Sequence, residues 1–409
     1  MSTHVWFTRT QWAVGQGFFH SGEVQALGAN VLYVYDCGSL DDDALNREID
    51  EFLVRHENQQ IDMLFVSHYH YDHVSGLPRL LSEANVKSVI IPVIEPIERL
   101  AALGATLPQD ELDSWAVDFA ADPEGALRGL DPKINVVFVE PSEDDTDDRG
   151  ADDGGELPKV EIGEEGAEDL DEPSRVRLKV GGTSTLRGDD LKGNTVALWI
   201  WKAYTTTFAR RRHKALLKHL EKQPGLNAAS IKNALNSALL FRQFVQTHHK
   251  EITAAFAQTF PDVNLSSLLL YSGPATERKY RGRRYRTRSA HAEGKEIGAW
   301  DILPGWLGTG DQNMGVRRCN EVATVFSEEL WRVGVFALPH HGAKSSYHSR
   351  LLEMFPGEKP TCVVSAGVHS QYGHPFREVL MDVSAQGGSI VLVNEAMPSR
   401  STESGRLDF

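Results

Sequence analysis

Runs of β-branched and aromatic residues recur along the first third of the chain, each bounded by turn residues: HVWFTRTQWAV from His4, NVLYVYDCGS from Asn30, IDMLFVS from Ile61, VKSVIIPV from Val86 and INVVFVEPS from Ile134. Their length and composition are those of strands. Between the second and third, DDDALNREIDEFLVRH sets Leu45, Ile49, Leu53 and Val54 on one helical face behind an acidic first turn, which marks a helix start. Beyond residue 190 the pattern resumes with NTVALWIWKAY, a helical block from about Thr207 to Phe260, and then NLSSLLLYSG, VGVFALP and TCVVSAG. This order predicts a mixed α/β layered domain. No internal repeat and no Pro/Ser linker divides it, so we read one domain over residues 1–409 with insertions at about 140–173 and about 205–260.

Composition narrows the setting. The apolar fraction of 41% and the absence of a long apolar run argue against a membrane span. The start, MSTHVWFTRTQW, has no secretory pattern, and the cysteines (Cys37, Cys319, Cys362) are few, odd in number and far apart, so a cytoplasmic location is expected. The net charge of −15 is uneven: Glu140 to Glu172 alone carries −14. That stretch is rich in Asp and Gly and poor in aromatics, and reads as a solvated insertion, passive or acting as an electrostatic gate.

One stretch carries chemistry that a core does not need. In FVSHYHYDHVSGL, from Phe65, an H-x-H-x-D-H run begins where the apolar strand stops. His68 and His70 fall on one side of the turn, Asp72 and His73 on the other, and such a loop can hold two metal ions. Imidazole suits zinc, iron and manganese, and the carboxylate broadens the choice.

The H-x-H-x-D-H run resembles that of the metallo-beta-lactamase superfamily, and further stretches follow in matching order: AVGQGFFHSG, VLYVYDCGS, GTGD ending at Asp311, and LPHHGAKSS with His340 and His341. More narrowly, VGQG, GTGD, PHHG and YGHP together are similar to the hydrolase domain attached to DNA-uptake competence channel proteins. The resemblance implies a four-layer αβ/βα sandwich and one or two divalent metal ions, zinc or manganese. It implies His68 and His70 at the first metal, Asp72 and His73 at the second, and Asp311 bridging. One of the His340–His341 pair would complete the second site, with His341 mildly favoured as ligand and His340 beside the scissile group. Many dinuclear members add another first-site histidine before the bridging aspartate. The candidates here, His213, His219, His248, His249 and His291, stand in no strand-end context, so a single ion stays open.

Two ions sharing a carboxylate suit phosphoester chemistry. Asp72, His340 and His374 are the candidates for direct work on the reacting groups, His374 as phosphate contact or proton donor or else as a turn residue. His20 and His369 are weaker candidates. The substrate signal is RKYRGRRYRTR: Arg278, Lys279, Arg281, Arg283, Arg284, Arg286 and Arg288 are interleaved with Tyr280 and Tyr285 and contain no acid. Such a stretch offers phosphate contacts and stacking faces, or else pairs with the acidic insertion. A cationic helix from Ala209 adds to it. The expectation is a metal-dependent hydrolase of phosphodiester bonds, first of all a nuclease, acting on nucleic acid. The alternatives are hydrolysis of a cyclic nucleotide, lactone or thioester on the same metals, or a catalytically idle nucleic-acid-binding module. DNA against RNA and the oligomeric state are left open.

Overall fold

In a computed structural model, residues 4–141, 176–178, 183–189, 195–205, 210–259, 266–275, 281–287, 295–298, 303–370 and 372–408 are described. The first half runs β1 (His4–Gln11), β2 (Gly17–Ala26), β3 (Ala29–Ser39), α1 (Asp42–Arg55), β4 (Ile61–Phe65), α2 (Tyr71–Val74), α3 (Leu77–Glu83), β5 (Val86–Pro92), α4 (Pro96–Thr106), α5 (Trp115–Ala121), α6 (Pro123–Leu130), β6 (Asn135–Val139) and β7 (Val176–Leu178). The second half runs β8 (Thr183–Asp189), β9 (Thr195–Thr205), α7 (Arg210–Leu220), α8 (Ala228–Ala234), α9 (Ala238–Thr259), β10 (Leu268–Pro274), β11 (Arg281–Thr287), β12 (Lys295–Gly298), β13 (Gly305–Gly308), α10 (Val316–Val325), β14 (Val333–Ala337), β15 (Thr361–Ser365), α11 (Arg377–Ala385), β16 (Ser389–Val393) and β17 (Ser401–Asp408).

Period-2 alternation in the strands decides the layering. Along β3, Leu32 and Val34 turn outward to meet Leu45 and Ile49 of α1, while Tyr33 and Tyr35 turn inward. The inward set, with Phe65 and Ile90, packs against Trp199, Trp201, Leu268, Trp306 and Val335 of the second sheet. On the far face of that sheet, Leu269, Leu307 and Phe336 are covered by Cys319 and Val322 of α10 and Val379 and Val383 of α11. Three apolar cores thus separate four layers, and the chain is an αβ/βα sandwich, as the family resemblance implied.

One sheet has the order β12-β11-β17-β1-β2-β3-β4-β5-β6-β7, the other β16-β15-β14-β13-β10-β9-β8. Strands β3 to β6 run parallel, as do β13 to β16. Parallel strands in an α/β layer present their carboxyl ends on one edge, where loops are free to carry chemistry. The helical block folds as α7, α8 and α9. Its Leu216, Phe241, Val245 and Ile252 join the same core as Leu100 of α4 and Phe119 of α5.

The basic stretch is a strand over Arg281–Thr287: it pairs with β17 from Arg281 opposite Asp408 to Thr287 opposite Thr402. A sheet edge leaves a row of unpaired backbone groups, and β11 satisfies the row on β17. Arg278, Lys279, Tyr280 and Arg288 lie outside the described residues, as does the acidic stretch from residue 142 onward. No helix among the described residues is long and apolar enough to cross a membrane.

A buried ion pair locks α1 to the chain entering β17. The Arg400 guanidinium donates to both oxygens of Glu48, at 2.7 and 3.0 Å, and lies 5.0 Å from the Trp12 ring, while the Ala13 N–H donates to Glu48 Oε2 at 3.1 Å. Removing one member of such a pair strands a charge in the interior. We expect Glu48→Ala to lower unfolding free energy by about 3–5 kcal/mol in urea titration, and Glu48→Leu with Arg400→Leu to recover most of that.

Candidate metal centre

Four strands that end at the carboxyl edge, β4, β13, β14 and β15, carry the candidate residues on the segments that follow them. After β4, Ser67, His68 and His70 form an extended loop, and the short helix α2 carries Asp72 and His73. After β13 comes Asp311, after β14 come His340 and His341, and after β15 the chain turns through residues 366–376 with His374. The turn at 339–342 is tight: His340, His341 and Gly342 have φ of 49°, 53° and 78°. A left-handed non-glycine residue is strained by on the order of 1–3 kcal/mol, so two in succession mean that the surroundings hold the turn in place.

The loops bring all seven sequence-predicted ligands together around Asp311. Its Oδ2 lies 3.5 Å from His68 Nε2, 3.6 Å from His70 Nδ1 and 3.7 Å from His340 Nε2. Its Oδ1 lies 3.3 Å from His73 Nε2 and 3.6 Å from His341 Nε2, and the latter is 3.3 Å from Asp72 Oδ2. The donors form two groups, His68, His70 and Asp311, and Asp72, His73 and His341, each with its donor atoms within 4.8 Å of one another. All of these are buried, whereas His340 is 21% exposed.

These separations fit a cation better than hydrogen bonding. They exceed the 2.7–3.2 Å of N–H···O bonds. Two ligands on a tetrahedral ion with bonds of about 2.0–2.1 Å stand roughly 3.3 Å apart. His68 Nε2, His73 Nε2, His341 Nε2 and Asp72 Oδ1 are buried without a hydrogen-bond partner. Uncompensated polar atoms in that number are expensive, and a divalent ion would satisfy them together.

Four of the five rings are oriented through their other nitrogen, while His70 Nε2 is buried without a hydrogen-bond partner. His341 Nδ1 donates to the Ser365 carbonyl at 2.8 Å, and His73 Nδ1 lies 2.9 Å from Asp36 Oδ2. Ser67 Oγ gives its proton to Asp36 at 2.6 Å and so accepts from His68 Nδ1 at 2.8 Å. His340 Nδ1 meets Ser346 Oγ at 3.0 Å. With Nδ1 engaged in this way, Nε2 presents its lone pair to the centre. Asp36 itself sits at φ 57° and also accepts the Ser67 N–H at 2.6 Å.

Electrostatics follow the packing. Burial alone would raise the Asp311 carboxyl, but His340, His73, His341 and His68 around it hold it well below its ordinary range. Burial would lower His73, but Asp311 and Asp36 raise it well above the usual imidazole value. Burial, with the neighbouring His73 and His70, lowers His68 to about 3. His374 is lowered to about 3 by burial and by His341 and His340; its ring centroid is 5.0 Å from that of His340, and its Nδ1 has no hydrogen-bond partner.

The remaining candidates lie elsewhere. His20 stacks on Trp306 at 4.1 Å between the sheets, and His369 is exposed on the 366–376 turn. His213 contacts Glu98 at 3.3 Å, His219 contacts Thr259 at 2.9 Å, His249 contacts Gln109 at 3.4 Å, and His248 packs on Phe244. None of these four reaches the first cluster, where His340 fills the fourth side; His291 lies outside the described residues. Sequence reasoning passed over Asp36, Ser67, Ser346 and Ser365. Only Asp36 leaves a trace, as an acid closing an apolar strand before Cys37 and Gly38.

A cation held here should feel the loss of an orienting partner. Asp36→Asn is expected to weaken zinc or manganese affinity by about 10- to 100-fold in competition with a chromophoric chelator, with the far-ultraviolet circular dichroism unchanged.

Residues 24–188 match the model of the Metallo-beta-lactamase superfamily. Among solved structures the chain is similar to the crystal structure of a long form RNase Z from yeast, at 8% identity and a TM-score of 0.33; the match covers 88% of this chain and 36% of that one, so it spans about a third of the other's length. A search of curated proteins found no match. The donor set, the four layers and the match over residues 24–188 agree: the chain has the metallo-beta-lactamase fold, with His and Asp clusters suited to divalent metal.

Proposed function

We propose that the chain is a metal-dependent hydrolase of phosphodiester bonds, and a nuclease. The observation that carries this is the Asp311 carboxylate, with one oxygen turned to each of two donor clusters. His68, His70 and His340 would hold one divalent ion, Asp72, His73 and His341 the other, with Asp311 shared; zinc and manganese both suit imidazole with carboxylate. Such a pair supplies Lewis acidity toward phosphoryl oxygens and makes a water nucleophilic near neutral pH. His374 stands beside His340 and His341, where its ring can hydrogen-bond a phosphoryl oxygen or, once the anionic substrate raises its proton affinity, donate a proton to the leaving oxygen. His340, whose Nδ1 is held by Ser346, has one nitrogen for this work, so it would serve either the first ion or the scissile group.

Support for a nucleic-acid substrate comes from three features. VGQG, GTGD, PHHG and YGHP, the motifs similar to the competence-protein hydrolase domain, all lie on the loops of this edge. The arginine-rich β11 extends the first sheet beside β17, and the cationic α7 lies in the helical block. The wall beside Tyr71 bears Asp42, Asp110 and Glu111, so an anionic strand would leave the centre along another side.

Asp311→Ala is expected to abolish cleavage of bis(p-nitrophenyl) phosphate and of a labelled oligonucleotide, and to lower metal content by elemental analysis. His374→Ala should keep its metal and lose turnover by about 10²- to 10⁴-fold. Wild-type cleavage and full metal content in Asp311→Ala would rule out the shared carboxylate. A metal-replete parent that cleaves neither substrate would rule out the phosphodiesterase.

A further inference from the structure

The VGQG turn between β1 and β2 lies against the centre yet supplies no ligand. Gln16 is buried. Its carbonyl accepts the Leu40 N–H at 2.8 Å and the Ser39 hydroxyl at 3.2 Å. The next residue, Gly17, has φ 145°, and a Cβ there would stand 2.4 Å from the Gly38 carbonyl and 2.6 Å from that of Asp72. The backbone at residues 16–17 is therefore seated directly on the loop that carries Asp72 and His73.

The side chain of Gln16 points the other way. Its Oε1 accepts the Ser370 hydroxyl at 3.0 Å, across 354 residues of sequence. Ser370 organises the turn before His374: its carbonyl accepts the Gly373 N–H at 3.0 Å, its Oγ accepts the Tyr372 N–H at 3.3 Å, and its own N–H donates to Gly367 at 3.2 Å. The same VGQG turn reaches the second cluster through Gly15, whose carbonyl accepts the hydroxyl of Ser365 at 3.1 Å, the residue whose carbonyl orients His341. Other bonds hold the ends of the 366–376 turn independently: Val368 N–H to the Glu395 carboxylate at 3.0 Å, and Phe376 N–H to the Gly342 carbonyl at 3.1 Å.

We infer that Gln16 is a positioning residue which, through Ser370, sets the ring of His374 relative to the cluster of Asp72, His73 and His341. Its consequence for turnover rests on the role of His374 given above; its consequence for the placement of the ring does not. A proton donor must lie within hydrogen-bond reach of the leaving atom, and a displacement of about 1 Å can lower a rate by about a hundredfold. Because the ends of the turn have their own anchors, loss of the Gln16 bond should move His374 without unfolding the turn.

The test compares Gln16→Leu, Ser370→Ala, their double variant and Gln16→Glu in the metal-loaded full chain. Histidines are labelled at ¹³Cε1, and the His374 signal is identified by its loss in His374→Ala. Gln16→Leu and Ser370→Ala should each shift and broaden that signal while metal content stays at the parent's. With bis(p-nitrophenyl) phosphate they should lower kcat by about tenfold at unchanged KM. Gln16→Glu, which keeps the acceptor, should restore both readouts, and the double variant should be no worse than either single one. An unmoved His374 signal in either single variant, or additive losses in the double one, overturns the inference. So does loss of metal from Gln16→Leu with none from Ser370→Ala, which would assign Gln16 to the Asp72 loop alone. If His374→Ala keeps full turnover, the proton-donor role fails, and the labelled signal still decides whether Gln16 places the ring.

Discussion

The Asp311 carboxylate is buried among five imidazoles, those of His68, His70, His73, His340 and His341, and most of the surrounding architecture answers the cost of that arrangement. A buried charge is tolerated when its neighbours compensate it, and a buried imidazole when its nitrogens have partners. The outer nitrogens of His73, His68, His340 and His341 find theirs in Asp36, Ser67, Ser346 and the Ser365 carbonyl, while that of His70 has none. The inner ones converge on Asp311 and Asp72 at separations that a cation would close. Both the donor set and its supporting hydrogen bonds follow from one shared carboxylate.

That convergence depends on the sandwich. The ligands come from the ends of β4, β13 and β14, which lie in different sheets, so their spacing is the spacing of the sheets. Tyr35 makes the connection explicit: its ring packs between the layers, and its hydroxyl donates to the Leu268 carbonyl at 2.6 Å across the interface. The core between the sheets, filled by Trp199, Trp201 and Trp306, therefore also sets how far His68 stands from Asp311. Repacking of these rings would be felt at the metal centre.

Much of this could be read before any coordinates. The strands with β-branched runs, β1, β3, β4, β5, β6, β9, β10, β14 and β15, stand where apolar periodicity puts them, because burial on one or both faces leaves a clear pattern. Strand β17 was not legible. Its inward residues are Ser401, Glu403, Gly405 and Leu407, and the buried Glu403 is met by Arg9 at 3.2 Å on β1. Pairing between strands that far apart in sequence cannot be seen in either segment alone. β11 was hidden for a similar reason, since arginines say nothing of the edge they join. Among site residues, the ligands were visible because His and Asp are rare as neighbours. The serines and the backbone carbonyl that aim them are common chemistry made specific only by the fold.

The pairing of β1 with β17 has a consequence for synthesis. His4 lies opposite Asp408 and Gln11 opposite Ser401, so β1 remains an uncovered sheet edge until residues 401–408 have left the ribosome. Apolar Val5 and Phe7, which end buried, therefore gain their second neighbour only after all the strands between β2 and β16 have been made. Exposed edges of this kind invite pairing with other chains. A nascent chain of this fold would therefore lean on holding chaperones until β17 emerges, long after the helices over β3 to β5 can have closed on their own strands.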